Sequence, residues 1–227
     1  MVACREAAGG NVQEFRADAK AEGDDIGVGG WLVHPDGPMS SKWFRLKLDR
    51  KTAPWAYRTG EPFRTIASLE LFATLLCIKA FKLDAGDIAG GRVTLSGLTD
   101  NKGNSHVISR LMTVKFPLCA FLMEIAATLQ RAESDLDLGW VPRDQNTKAD
   151  ELSNFDARHF NPELEVVMDR SVMDFILLDE FLEEGEKLYL KIAENKLAIK
   201  ASAPLAPPIA KRRKRKPETR LRATHPW

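Results

Sequence analysis

Cysteine is scarce here: Cys4, Cys77 and Cys119 are the only three in 227 residues. An odd and sparse set cannot build a disulfide framework, so the chain fits a reducing compartment rather than secretion. Long apolar runs are missing too. The greasiest stretch, Leu69 to Phe81, is broken by Glu70 and Lys79, and Arg5 and Glu6 precede any apolar segment. Neither a membrane span nor a signal peptide is therefore read. The four histidines (His34, His106, His159, His225) are scattered without metal-ligand spacing, which argues against a histidine metal site. No segment repeats. Gly27, Gly29 and Gly30 are not followed by Gly-Lys-Ser/Thr, so they suit a closely packed strand rather than a phosphate-cradling loop.

What is present suffices for a core. With 44% hydrophobic and 29% charged residues, collagen-like, mucin-like and globally disordered classes are excluded, and the length suits one domain with an appendage. The formal net charge of +1 hides a segregation. Residues 211 to 227 carry eight Lys/Arg against one Glu, while residues 161 to 199 carry ten Asp/Glu against four Lys/Arg.

The patterning gives an order of elements. Residues 12–17 and 26–33 read as strands, closed by the turn signal Pro35-Asp36-Gly37; Trp43 to Leu48 completes an antiparallel meander. Residues 51 to 64 read as a loop. From Thr65 to Phe81 apolar residues surround most of a helix, which should be buried and end at Gly86, Gly90 and Gly91. Arg92 to Thr99 is a strand whose Gly97 signals a bulge or a close backbone approach. Helical patterns follow at 105–111 and from Pro117 to Gln130, then a strand over 136–140. A last helix runs to Leu152, with Asn146 and Thr147 as candidate caps. This order, β-β-β-α-β-α-α-β-α, describes an α/β layer on a mixed sheet. We expect an N-terminal flank (1–11), a main domain (12–155), an acidic helical appendage (156–200) centred on 172–181 and 187–196, and a disordered basic tail (201–227). Val172, Phe175, Ile176, Leu177, Leu178, Phe181 and Leu182 should pack on the main domain, being too few for a core of their own.

Four acidic residues stand in unusual settings. Asp18 is placed after the first strand, Glu70 sits among Leu69, Leu71 and Phe72, Asp100 ends the fourth strand, and Asp150 lies in the helix after the fifth. Burying several carboxylates together without cations is costly, and divalent cations resolve the conflict. Hard oxygen ligands suit Mg²⁺, with Mn²⁺ as a substitute, and a pair of ions serves phosphodiester hydrolysis.

The segments Asp18-Ala-Lys-Ala, Ile66-Ala-Ser-Leu-Glu70-Leu, Thr99-Asp100-Asn101 and Trp140-Val-Pro-Arg-Asp-Gln-Asn146-Thr-Lys-Ala-Asp150-Glu-Leu-Ser, in that order, resemble a ribonuclease H domain. The likeness covers about residues 12 to 155. It is nearest to domains attached to reverse transcriptases of tyrosine-recombinase and related retrotransposons. The resemblance implies a ribonuclease H-like mixed five-stranded sheet with flanking helices. It also implies catalytic metal ligands Asp18, Glu70, Asp100 and Asp150 for two Mg²⁺ ions, and cleavage of the RNA strand of an RNA–DNA hybrid. Gly29-Gly30-Trp31 resembles the glycine-containing second strand beside the substrate, so Gly30 and Asn101 are candidate nucleic-acid contacts, as are the tail residues Lys211, Arg212, Arg213, Lys214, Arg215 and Lys216. A reverse transcriptase polymerase domain is an implied partner, and the basic tail fits nuclear import as well as a cytoplasmic location.

The sequence departs from the family pattern in three ways. Residues 141–149 hold no histidine, so proton transfer there falls to water or another group. Glu22-Gly-Asp-Asp25 lengthens the first turn. No polymerase motif precedes the domain, as expected of a detached fragment of a polyprotein or an independent derivative.

Taken singly, each carboxylate has a plain structural reading: a helix-terminus charge for Glu70, a turn residue for Asp100, a solvated helix face for Asp150. Jointly these coincidences fail. Three rival functions remain: a noncatalytic ribonuclease H-like binding module, a different nuclease of the same broad fold, and a nuclear basic-tail interaction protein. An exonuclease of the aspartate-x-glutamate type would want an acid where Lys20 stands, and an integrase-like enzyme would end its series with glutamate. Trp31 and Trp55 read mainly as packing residues, with nucleic-acid contact as the minor alternative.

Overall fold

The computed structural model describes residues 14–57, 60–81 and 93–202. Five strands form one mixed sheet in the order β3-β2-β1-β4-β5. The expected five-stranded sheet with flanking helices is what the chain builds. In β1 (Glu14–Glu22) and β2 (Asp25–Leu32), alternation drives Phe15, Ala17 and Ala19 to one face. The stretch from Glu22 to Asp25 is not a lengthened turn. The strands stay paired through Glu22 and Asp25, and Gly23, at φ +57°, supplies the left-handed residue of a two-residue hairpin. β3 (Trp43–Leu48) pairs antiparallel to β2, completing the meander.

The loop expected before the first helix contains two 3₁₀ turns, and α1 (Ile66–Ala80) then runs with ten buried residues, Leu69 and the run from Leu71 to Ile78 among them. Gly86, Gly90 and Gly91 lie outside the described residues. β4 (Val93–Thr99) lies parallel to both β1 and β5 (Ser134–Trp140). Gly97 marks close approach rather than a bulge: the register is regular, and the Phe15 ring fills the place a Cβ would take. Between β4 and β5 come α2 (Lys102–Arg110) and α3 (Leu118–Arg131), and α4 (Thr147–Ser153) follows β5.

The adjacent glycines of β2 let helices approach from both sides. A Cβ on Gly29 would strike Leu152 and Ser153 of α4, while one on Gly30 would strike Cys77 of α1 and Phe44. On the α1 side the main core unites Phe15, Phe44, Leu75, Phe121 and Ile125. On the other side Trp31, Trp43, Ala149, Leu152 and Phe160 form a smaller cluster. Trp31 and Trp55 are each 6% exposed, so their packing reading holds.

Beyond α4 the chain returns to the sheet edge. Val166 N–H donates to the Trp43 carbonyl at 2.8 Å and Glu165 forms a parallel bridge with Trp43, covering part of an edge strand that would otherwise be open. Helix was expected from Val172, but the last helix, α5 (Leu178–Ser202), starts later and also runs past the expected 187–196. The reason is Glu124 on α3. Its fully buried carboxylate accepts the N–H groups of Ile176 (2.9 Å), Leu177 (2.7 Å) and Leu178 (3.0 Å), so these donors serve an anchor and the chain ahead of α5 stays irregular. Phe175, Leu178, Phe181 and Leu182 pack on the main core.

The chain divides into two compact units, residues 1–189 and 190–227. In the second, the described part is the end of α5, where Leu190, Ile192, Leu197 and Ile199 are exposed. The expected flank at 1–11 and basic tail at 201–227, including Lys211 to Lys216, fall almost wholly outside the described residues. Among the described residues no helix is long and apolar enough to cross a membrane.

Candidate active site

The sheet splits where the acidic residues stand. Parallel pairing of β1 with β4 ends at Arg16 and Leu98, so continuing the same register would place Asp18 opposite Asp100. Beyond the split β1 pairs only with β2, and Asp18 lies inside it, opposite Gly29. The expectation that Asp18 follows the first strand is thus corrected: the strand runs on to Glu22 because β2 continues to pair with it.

Glu70 enters the gap from the second turn of α1. Asp18, Glu70 and Asp100 each present a carboxylate oxygen, and these three atoms lie within 4.8 Å of one another. Asp18 is 5% exposed. Asp150 lines the same cleft, about 490 Å³ in volume, together with Lys20, Arg143 and Asn154. It is not drawn into the trio, because its Oδ1 accepts from Arg143 Nη2 at 3.1 Å and its Oδ2 from Asn154 Nδ2 at 3.3 Å.

Neighbouring polar groups hold the cluster in place. Ser153 of α4 donates to Asp18 Oδ2 at 2.9 Å. Asn101 caps α2, accepting from Asn104 N–H at 3.1 Å, and its Nδ2 donates to Glu70 Oε2. The candidate cap Asn146 precedes α4 but makes no cap bond; its buried amide donates instead to the Ala17 carbonyl at 3.1 Å. With Arg16 Nη1 donating to the Gln145 carbonyl at 2.6 Å, this ties the loop before Asp150 to the strand of Asp18. Sequence reading missed both ties. A buried Asn two residues beyond the Pro-Arg-Asp turn was the available signal.

The electrostatics are compensated only in part. Burial, then the nearby Asp100 charge, pushes Asp18 up to about 7. Burial pushes Glu70 up to about 8 against the opposing hydrogen bond from Asn101, with Asp18 and Asp100 adding to the rise. Asp100 is raised by burial, with Arg143 opposing. Asp100 Oδ1 is buried and has no hydrogen-bond partner. A cluster of hard oxygen donors with one orphaned oxygen fits a divalent cation of the Mg²⁺ kind, which would satisfy that atom and cancel the repulsion.

Two nucleic-acid candidates are resolved differently. Asn101 stands beside Glu70 and lines an adjoining cleft. Gly30 is buried, facing Cys77 and Phe44, so it packs α1 and offers no surface to a ligand. An exposed aromatic does stand next to Asp100, unanticipated: Trp140, 48% exposed, donates its indole N–H to the Asp100 backbone carbonyl at 3.0 Å. Its neighbour across the sheet, Thr99, precedes Asp100 directly, and that adjacency of two strand ends was not legible from a single sequence.

No protein family model and no curated protein matches the chain. Solved structures do. The N-terminal RNase H domain of a Mycobacterium tuberculosis protein, solved as a fusion with maltose-binding protein, is 22% identical over 63% of this chain and 96% of its own, with a TM-score of 0.44. One structure of LC11-RNase H1, an enzyme isolated from compost by a metagenomic approach, is 20% identical over 64% and 95%, with a TM-score of 0.47. LC11-RNase H1 in complex with an RNA/DNA hybrid is 16% identical over 63% and 94%, with a TM-score of 0.46.

Proposed function

We propose that the chain is a metal-dependent endonuclease that hydrolyses the RNA strand of RNA–DNA hybrids, derived from a retroelement reverse transcriptase. The observation that carries the reading is the cluster of buried Asp18 with half-buried Glu70 and Asp100, and its orphaned Asp100 oxygen. Plain structural carboxylates would have partners. The ordered resemblance of the four segments supports the ribonuclease H chemistry and the retroelement origin.

Asp18, Glu70 and Asp100 would hold the cations, with Asp150 joining from across the cleft. Two Mg²⁺ or Mn²⁺ ions, when bound, supply polarisation of the attacking water and charge stabilisation at the departing oxygen. The chain's own groups do the rest. Asn101 and Ser153 fix the rotamers of Glu70 and Asp18. Once Asp150 turns inward, Arg143, whose side chain is 81% exposed, is free to pair with a phosphate. A second cleft of about 360 Å³ meets the site at Asn101 and is lined by Arg64, Thr65 and Lys115, supporting a track for a second backbone strand.

A polymerase domain as partner, and a basic run at 211–216 that binds phosphates or directs nuclear import, complete the proposal. The test is incubation of the purified chain with labelled RNA–DNA hybrid, duplex DNA and duplex RNA, each with Mg²⁺, Mn²⁺ or EDTA. Cleavage of the hybrid's RNA strand only with metal is expected. Cutting of duplex DNA alone would point to another nuclease, and binding without cleavage under every condition to a noncatalytic module.

A further inference from the structure

Leu136, Leu138 and Trp140 occupy alternate positions of β5, so they share one face of the strand. Leu138 is buried at 4% exposure, yet Trp140, the last residue of the strand and still paired with Thr99, is 48% exposed. The indole is also held in a fixed orientation. Its N–H reaches the Asp100 carbonyl at 3.0 Å, and the Lys102 ammonium stands 5.7 Å from the ring centroid. Lys102 is the first residue of α2, just beyond Asp100 and Asn101, so the pair flanks the strand end that carries Asp100.

An aromatic plane with an ammonium beside it, next to a cluster suited to phosphodiester chemistry, has the composition of a nucleotide contact. Stacking of a base on an aromatic is sequence-tolerant and stronger than an exposed cation–π pair. A base arriving on the indole would therefore displace the ammonium, which keeps its tether to α2 and is left within reach of the phosphate of the same nucleotide. The geometry points to Trp140 and Lys102 as a nucleotide-binding subsite. In it the indole stacks on a base of the strand being cut and Lys102 pairs with the adjoining phosphate. This rests on the nuclease reading above and adds to it the residues that seat the strand.

The test uses the full chain and a fluorescent RNA–DNA hybrid in EDTA, where binding is read without cleavage. Trp140→Ala should weaken binding by about tenfold, the range of one lost stacking contact. Trp140→Phe, which keeps a stacking ring but loses the indole N–H, should stay within about threefold of wild type, since of its two losses only the weaker stacking touches the base. Lys102→Gln should lower the slope of log affinity against log salt by about 0.7 to 0.9, one phosphate contact. Unchanged binding by Trp140→Ala, with the wild type binding well, would overturn the subsite and leave the nuclease reading standing. Equal weakening by Ala and Phe would also overturn it, since the shared loss would then be the bond to the Asp100 carbonyl. A wild type that neither binds nor cleaves any hybrid would overturn both.

Discussion

Glu124 and the Asp18–Glu70–Asp100 cluster both take carboxylates out of water, one against the chain entering α5 and the other where β1 and β4 part. Glu124 is fully buried but meets three backbone N–H groups, so its charge is matched by the protein itself. The cluster is matched only in part. Ser153 and Asn101 each satisfy one oxygen, Asp100 Oδ1 has no partner, and Asp18 and Glu70 are pushed up to about 7 and about 8. Burial alone therefore does not distinguish a structural acid from a functional one; the supply of donors does.

That contrast can be broken by substitution. Asp100→Asn removes an anion and keeps the shape, so hybrid cleavage should fall below detection while the melting temperature in EDTA is preserved or raised by relief of like-charge repulsion. Cleavage at the wild-type rate would exclude Asp100 from the chemistry. Glu124→Ala should behave in the opposite way. It strands three N–H groups at the start of α5, costing about 3 kcal/mol or more, visible as a lower urea midpoint. Cleavage per folded molecule should be retained in the cold. A variant as stable as wild type would show that the anchor contributes nothing.

The pH dependence separates the two sites more finely. Asp18 and Glu70 have folded-state values above their unfolded ones, so the folded protein binds more protons than the unfolded chain between about pH 4 and pH 8. In EDTA, stability from these two groups is therefore fully present below pH 4 and is lost as pH rises through 7 and 8. Denaturant melts across that range should show the decline. The decline should shrink in Asp18→Asn, and a flat profile in the wild type would contradict the assigned burial of charge.

Much of this was legible in the sequence. The order of strands and helices followed from alternation and apolar periodicity, because each element has one face committed to the core. Two members of the carboxylate cluster stood out in the sequence, Glu70 because it interrupts an apolar helix and Asp100 because it follows a strand directly. Other features depended on tertiary contacts that no local pattern carries. Asp18 lies within β1 only because β2 extends that strand past the split. Asp150 is turned aside by Arg143 and Asn154. The irregular stretch before α5 depends on Glu124, 52 residues earlier than its first donor, and an ordinary amphipathic helix does not reveal which of its acids will be buried. Gly30 was read toward the substrate, but which face a glycine serves depends on the helix packed against it.

The measurement that tests the proposed metal centre most directly is the melting temperature of wild type and Asp100→Asn in EDTA and in saturating Mg²⁺ or Mn²⁺. At a free concentration a hundredfold above Kd, ligand binding adds about 2.7 kcal/mol, or about 5–10 °C for a domain of this size. Wild type should rise by that amount with metal and Asp100→Asn by much less, starting from an equal or higher value in EDTA. Equal shifts in both proteins, or none in either, would contradict the assignment of the Asp18–Glu70–Asp100 cluster as a divalent-cation site.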